Sequence, residues 1–220
     1  VDLQGASIAI RGDKIEAVYV GSEKLPKADH VHDASGLTAM PGFVDIHTHG
    51  ARGFDVCDGD SAGIAAIAEA KVREGVTTFL PTTLTLPEER LSAALKSVAD
   101  HVRSPAYSNG AKIPGVHLEG PYINKNCAGA QNPAYVRAPD FDEVARLDKI
   151  MKVLLVSFAP EVDGGMEFAA KLAANGIVPS CGHSDATCGQ FEQSRRMGVR
   201  NLTHFCNQMT KLHHREIGLV

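Results

Sequence analysis

No run of apolar residues in this sequence approaches about 18, so nothing in it reads as a bilayer span and no membrane partner is expected. Basic residues are not in excess. Lys and Arg number 22 against 26 Asp and Glu, a formal net charge of -4, which gives no electrostatic reason to expect nucleic acid or an anionic surface as partner. The five cysteines (Cys57, Cys127, Cys181, Cys188 and Cys206) are odd in number, scattered, and contain no Cys-x-x-Cys pair. That pattern argues against a disulfide framework and a thiolate zinc site, and for a reducing cytoplasm. The start, Val1-Asp2-Leu3-Gln4, shows no basic segment followed by an apolar run, so no signal peptide is read. It also lacks an initiator Met, and a trimmed start is expected. No short repeat or low-complexity segment stands out.

What is present is 44% hydrophobic residues and ten histidines. The first figure suits one soluble globular domain, or one domain with a small appendage. The opening reads as β. Ser7 to Ile10 and Ile15 to Val20 flank a Gly12-Asp13 turn signal, and a polar connection covers Ser22 to His32. From Phe43 onward strands and helices alternate. Strands are expected at Phe43 to Ile46, Val76 to Leu80, Ile113 to Leu118, Val153 to Phe158, Ile177 to Cys181 and Val199 to Leu202. Between them lie helical stretches. One is capped by Ser61, and one is opened by a Thr85-x-x-Glu88 capping box. The others cover Asp140 to Ile150, Gly165 to Ala174 and Thr187 to Met197. Such alternation predicts an α/β fold with a parallel sheet and helical crossovers, residues 42–220, after a separate β unit at 1–41.

In parallel α/β folds, ligands bind at the carboxyl ends of strands. Four of these ends carry metal-capable side chains: His47-Thr48-His49, Glu119, His183 and His204. Residues i and i+2 of a strand project to one face, so His47 and His49 can grip a single ion. Glu119 can bridge two cations, with His183 and His204 on the other. Imidazole plus carboxylate suits Zn²⁺, Fe²⁺, Mn²⁺ or Co²⁺. Taken singly, each residue has a plainer explanation: His183 could cap the next helix, and His204 could be a satisfied core histidine. Four coincidences at one end of a sheet favour a metal site. His117 alternates with Glu119 and either lines the site or packs in the core. His30, His32 and His101 read as surface residues, and Cys127 gives no sign of being a nucleophile.

At these residues the chain resembles the N-acetylglucosamine-6-phosphate deacetylase family of the amidohydrolase superfamily. The resemblance rests on Pro41-Gly-Phe-Val-Asp-Ile-His-Thr-His-Gly50, His117-Leu-Glu-Gly-Pro-Tyr122, Gly182-His-Ser-Asp-Ala-Thr187 and Thr203-His-Phe-Cys-Asn207. Arg215-Glu-Ile-Gly218 is close to the family's Arg-Glu-Pro-Gly, with Ile217 in place of proline. The resemblance implies a (β/α)8 TIM-type barrel, incomplete in this chain, with a small β-sandwich domain at the N-terminus. It implies hydrolysis of the N-acetyl group of an amino sugar phosphate, one or two divalent metal ions per subunit, and a homodimer. His47, His49, Glu119, His183 and His204 would be the metal ligands. Ala130 and Gln131 would touch the sugar and its acetamide, Asn207 and Gln208 would approach the phosphate end, and Arg215 would bind the phosphate. For Gln131 and Arg215 the plainer readings are a polar loop residue and a surface charge. The family's catalytic acid/base is an Asp in a downstream Thr-Asp-Ala segment, expected beyond Val220. The chain is therefore read as cut short and, alone, as inactive. Two further readings stay open: a different amidohydrolase, such as a dihydroorotase-like enzyme, and a non-catalytic sugar-phosphate-binding homologue.

Overall fold

The structure, a computed structural model, describes residues 3–21 and 23–220. The chain divides into two compact units, Val1–Pro41 and Gly42–Val220. In the first, β1 (Ala6–Arg11) pairs antiparallel with β2 (Lys14–Val20). Gly12, at φ 61°, supplies the left-handed turn that a side chain would resist. Ser22, where the polar connection was expected to begin, lies outside the described residues. The remainder of that connection forms no helix or strand.

The second unit is built from parallel strands, each followed by a helix or a loop. Phe43–Thr48 forms β3, then a small hairpin pairs β4 (Gly50–Ala51) with β5 (Phe54–Asp55). There follow α1 (Ser61–Arg73), β6 (Val76–Pro81), α2 (Glu88–Arg103), β7 (Val116–Glu119), α3 (Phe141–Asp148) and β8 (Val153–Phe158). The last elements are α4 (Gly165–Ala174), β9 (Val178–Cys181), α5 (Cys188–Arg196) and β10 (Asn201–Leu202). β3 pairs with β6, and β7, β8, β9 and β10 pair in that order, all parallel. Parallel bridges at Thr78–Lys112 and Thr82–His117 carry the ladder from β6 to β7. The main strands therefore stand side by side in chain order, so every strand ends at the same edge. The core packs Ile64, Ile67, Leu91, Leu95 and Val98 of the helices against Val116, Val153, Val156 and Phe158 of the strands, all fully buried.

Several local expectations are corrected. Ser61 is not the cap of α1, because Asp60 accepts from the Ala62 and Gly63 amides. The Thr85-x-x-Glu88 box does not form. Pro87 precedes α2 without a side-chain cap, and the Thr85 amide donates instead to Gln131 Oε1 at 2.6 Å. A capping box does open α5, between Thr187 and Gln190. His101 is buried rather than exposed. It lies on the inner face of α2, edge-on to Tyr107 at 5.7 Å. His30 and His32 are exposed. Among the described residues no helix is long and apolar enough to cross a membrane, and all five cysteines are free.

Candidate metal centre

Glu119 is the last residue of β7, and its side chain is almost completely buried. Four imidazoles converge on it. His204 Nε2 lies 2.9 Å and His183 Nε2 3.3 Å from Oε1, with 3.1 Å between the two nitrogens. His47 Nε2 lies 3.6 Å from Oε1, and His49 Nε2 3.2 Å from Oε2. The donors fall into two triads sharing the carboxylate: His47, His49, Glu119 and Glu119, His183, His204.

The donor set fits a cation better than a hydrogen-bond cluster. His183 Nδ1 donates to the Cys127 carbonyl at 2.8 Å, so in the neutral ring Nε2 bears the lone pair. His49 Nδ1 likewise meets the Thr82 carbonyl at 3.2 Å. An imidazole fixed in this way by a carbonyl is the usual outer support of a metal-binding histidine. The triangle of Glu119 Oε1, His183 Nε2 and His204 Nε2 has edges close to the ~3.3 Å implied by metal–ligand bonds of ~2.0–2.1 Å in a tetrahedral site.

The backbone that presents these groups is specialised. His183 and His204 adopt φ 51° and 35°, in the left-handed region where histidine is tolerated better than most residues. The His183 loop is held by Glu161, which accepts from Ser184 Oγ at 2.6 Å, the Asp185 amide at 2.7 Å and Asn124 Nδ2 at 2.9 Å. The turn at His204 closes when the Asn207 amide donates to the His204 carbonyl at 3.0 Å. The His47–His49 segment is fixed by Thr82, whose hydroxyl accepts the Thr48 amide at 2.9 Å.

Charge follows geometry. Burial alone would raise the Glu119 carboxyl, but hydrogen bonds from His183, His204 and His49 outweigh it and hold the group far below the usual carboxylate range. His204 is raised by its bond to Glu119. His49 is pushed down by burial, yet its bond to Glu119 wins and raises it. His47 is lowered, chiefly by burial. The buried thiols Cys57, Cys127 and Cys181 are pushed up to about 12 by burial, which leaves Cys127 no nucleophilic character.

Of the residues expected at a substrate subsite, Gln131 is buried and reaches the centre: its Nε2 donates to Glu119 Oε2 at 2.5 Å. The Gln208 side chain packs against Gly129, next to the exposed Ala130. Asn207 is exposed. Arg215 is exposed too, and its Nε donates to His214 Nε2 at 3.0 Å. Thr82 and Glu161 escaped the sequence reading because their partners lie far away in the chain. A cavity of about 400 Å³ is lined by His47, His204, His117 and Thr203, among others.

No protein-family model matches the chain. Among curated proteins it is 34% identical, over 88% of its length, to an N-acetylglucosamine-6-phosphate deacetylase of Lysinibacillus sphaericus. It is 36% identical, over 93%, to an N-acetylgalactosamine-6-phosphate deacetylase of Escherichia coli O157:H7. The chain covers 52% and 54% of these proteins, so it spans about half the length of the curated relatives it matches. Among solved structures it superposes on the N-acetyl-D-glucosamine-6-phosphate deacetylase of Mycobacterium smegmatis with a TM-score of 0.85 and 31% identity, over 98% of this chain and 55% of that one. The Thermotoga maritima enzyme gives 0.79 and 35%, over 96% and 53%. In sequence and in fold, the chain is similar to N-acetylglucosamine-6-phosphate deacetylases over about half of their length.

Proposed function

We propose that this chain supplies the metal-binding part of a hydrolase that removes the N-acetyl group of N-acetyl-D-glucosamine 6-phosphate, giving acetate and glucosamine 6-phosphate, in amino sugar catabolism. The observation that carries the reading is the convergence of His47, His49, His183 and His204 on the two oxygens of Glu119. A solved relative from M. smegmatis is a complex with N-acetyl-D-glucosamine-6-phosphate, which supports the substrate.

The residues fit one or two divalent ions, of Zn²⁺, Fe²⁺, Mn²⁺ or Co²⁺. An ion held there supplies Lewis acidity toward the acetamide carbonyl and toward water. Glu119, kept ionised, offers acceptors only and can serve both triads at once. Gln131 orients that carboxylate through one N–H, and its second N–H is the donor for the acetamide carbonyl. Ala130, next to Gln131 in the same loop, forms the sugar contact. Asn207, Gln208 and the forked guanidinium of Arg215 serve the phosphate. Departure of the amine requires a general acid, because an amide anion is too basic to leave. That group is assigned to an Asp outside these 220 residues.

In the same reading, the strand–helix units belong to a (β/α)8 barrel and the 1–41 unit to a small β-sandwich. The exposed apolar residues Ile10, Ile15, Phe43 and Val44 are surfaces that the rest of such a protein would cover. A cytoplasmic homodimer completes the proposal.

The test is acetate release by the protein carrying this chain. N-acetylglucosamine 6-phosphate should be cleaved and its unphosphorylated form should not; equal rates refute phosphate recognition. The 36% identical relative makes the galacto epimer the second substrate to assay.

A further inference from the structure

His117 sits beside the metal centre but spends both nitrogens elsewhere. Its Nδ1 lies 2.9 Å from the Ile46 carbonyl, an acceptor only, so Nδ1 carries a proton. Its Nε2 lies 2.6 Å from Ser157 Oγ. The Ser157 hydroxyl meets Thr203 Oγ1, which in turn lies 2.8 Å from Ser180 Oγ. The four side chains are buried, none more than 5% exposed. With Nε2 accepting, the donors follow in order: Ser180 to Thr203, Thr203 to Ser157, Ser157 to His117, and His117 to Ile46.

Packing does not account for these residue types. His117, Ser180 and Thr203 border the cavity beside His47 and His204, yet their polar atoms bond one another and Ser157 within the layer, and valine would fill the place of Thr203. A buried hydroxyl costs free energy unless it is bonded, so four polar groups in one layer are retained for their connections. Each connection ends beside a ligand. Ile46 precedes His47, His117 stands two residues before Glu119 on β7, and Thr203 precedes His204. Ser180 lies on β9, which leads to His183.

We propose that His117, Ser157, Thr203 and Ser180 are positioning residues: a hydrogen-bonded layer that fixes the spacing of β3, β7, β8, β9 and the segment after β10, and thereby the convergence of the ligands on Glu119. The proposal rests on the metal-site reading above. It adds residues whose polar atoms are spent on one another yet set the fit of the ion.

Co²⁺ binding to the full protein tests it, read by visible absorption and by competition with a chelator. His117→Leu and Ser157→Ala should each weaken Co²⁺ binding by about 10–100-fold and alter the absorption bands. His117→Gln, which keeps a donor and an acceptor, should recover part of the loss. Ser194→Ala removes a buried hydroxyl on α5 that donates to the Phe191 carbonyl; it should lower stability without changing affinity or spectrum. Folded Ser157→Ala and Thr203→Val proteins that bind Co²⁺ within about twofold of the parent, with unchanged spectra, overturn the proposal, even where His117→Leu does not fold. A parent protein that binds no Co²⁺ overturns the metal-site reading itself. Loss of binding in Glu119→Gln alone, with the layer variants unaffected, overturns only the layer.

Discussion

Acidification should weaken ion binding, with one proton set against each ion. In the ion-free centre His204 is bonded to Oε1 of Glu119 and His49 to Oε2, and both are raised above the ordinary 6.5. Because they use different oxygens and belong to different triads, each can hold its proton while the other does, and each proton must leave before its own triad binds an ion. His47 is lowered, so burial works against a proton there, and Glu119 is ionised throughout this range. Each released proton costs about 1.36 kcal/mol per pH unit. Apparent affinity should therefore rise about tenfold per unit for each ion, and about 100-fold per unit when both triads fill, and the rise should continue past 6.5 rather than level there. The stability of the ion-free protein runs the other way. The share from His49 and His204 is complete below pH 6.5 and is lost as pH rises through their folded values. The share from Glu119 is complete above 4.5 and is lost progressively as pH falls below that toward its folded value. The assay is Zn²⁺ or Co²⁺ competition against a chelator between about pH 5.5 and 8, with proton release measured by calorimetry in buffers of different ionisation enthalpy. A rise that levels at 6.5, or release of well under about one proton per ion, would refute this account of the centre.

Three further outcomes are expected. Phe158→Ala, at a fully buried ring stacked edge-on with Phe168 at 5.4 Å, should cost about 3–5 kcal/mol in denaturant unfolding; a loss under about 1 kcal/mol would mean the core collapses around the gap. Gly120→Ala would place its Cβ 2.2 Å from Thr85 Oγ1 at a φ of 75°, disturbing the Thr85–Gln131–Glu119 chain. It should lower both the melting temperature and Co²⁺ affinity, and an unchanged affinity would separate Gln131 from ion binding. Alkylation at mildly alkaline pH should label exposed Cys206 well before Cys57, Cys127 and Cys181, whose thiols burial pushes up to about 12; early labelling of Cys127, read by mass spectrometry, would contradict its burial.

The alternation from Phe43 onward was legible because buried parallel strands and amphipathic helices have distinct periods, and the ligand-bearing strand ends followed from it. The β4–β5 hairpin was not, since two-residue strands carry no period. Thr85 was misread because a capping box is a local pattern, whereas its amide is claimed by Gln131 from across the loop. His101 looked like a surface residue on a polar helix, yet falls on the inner face. Ser157, Ser180 and Thr203 did leave a signal: hydroxyls inside otherwise apolar strands. Their meaning depends on which strands are neighbours, which only the fold supplies.

Glu119 serves two triads that reach opposite edges of the strand array, β3 through His47 and His49, and the end of β10 through His204. Ions held there act as cross-links, tying the first and last strands of this array to its middle. Closing such long loops removes entropy from the unfolded chain. Chelation should then loosen the array at its two edges first, and amide exchange should rise in β3 and β10 before it rises in β7.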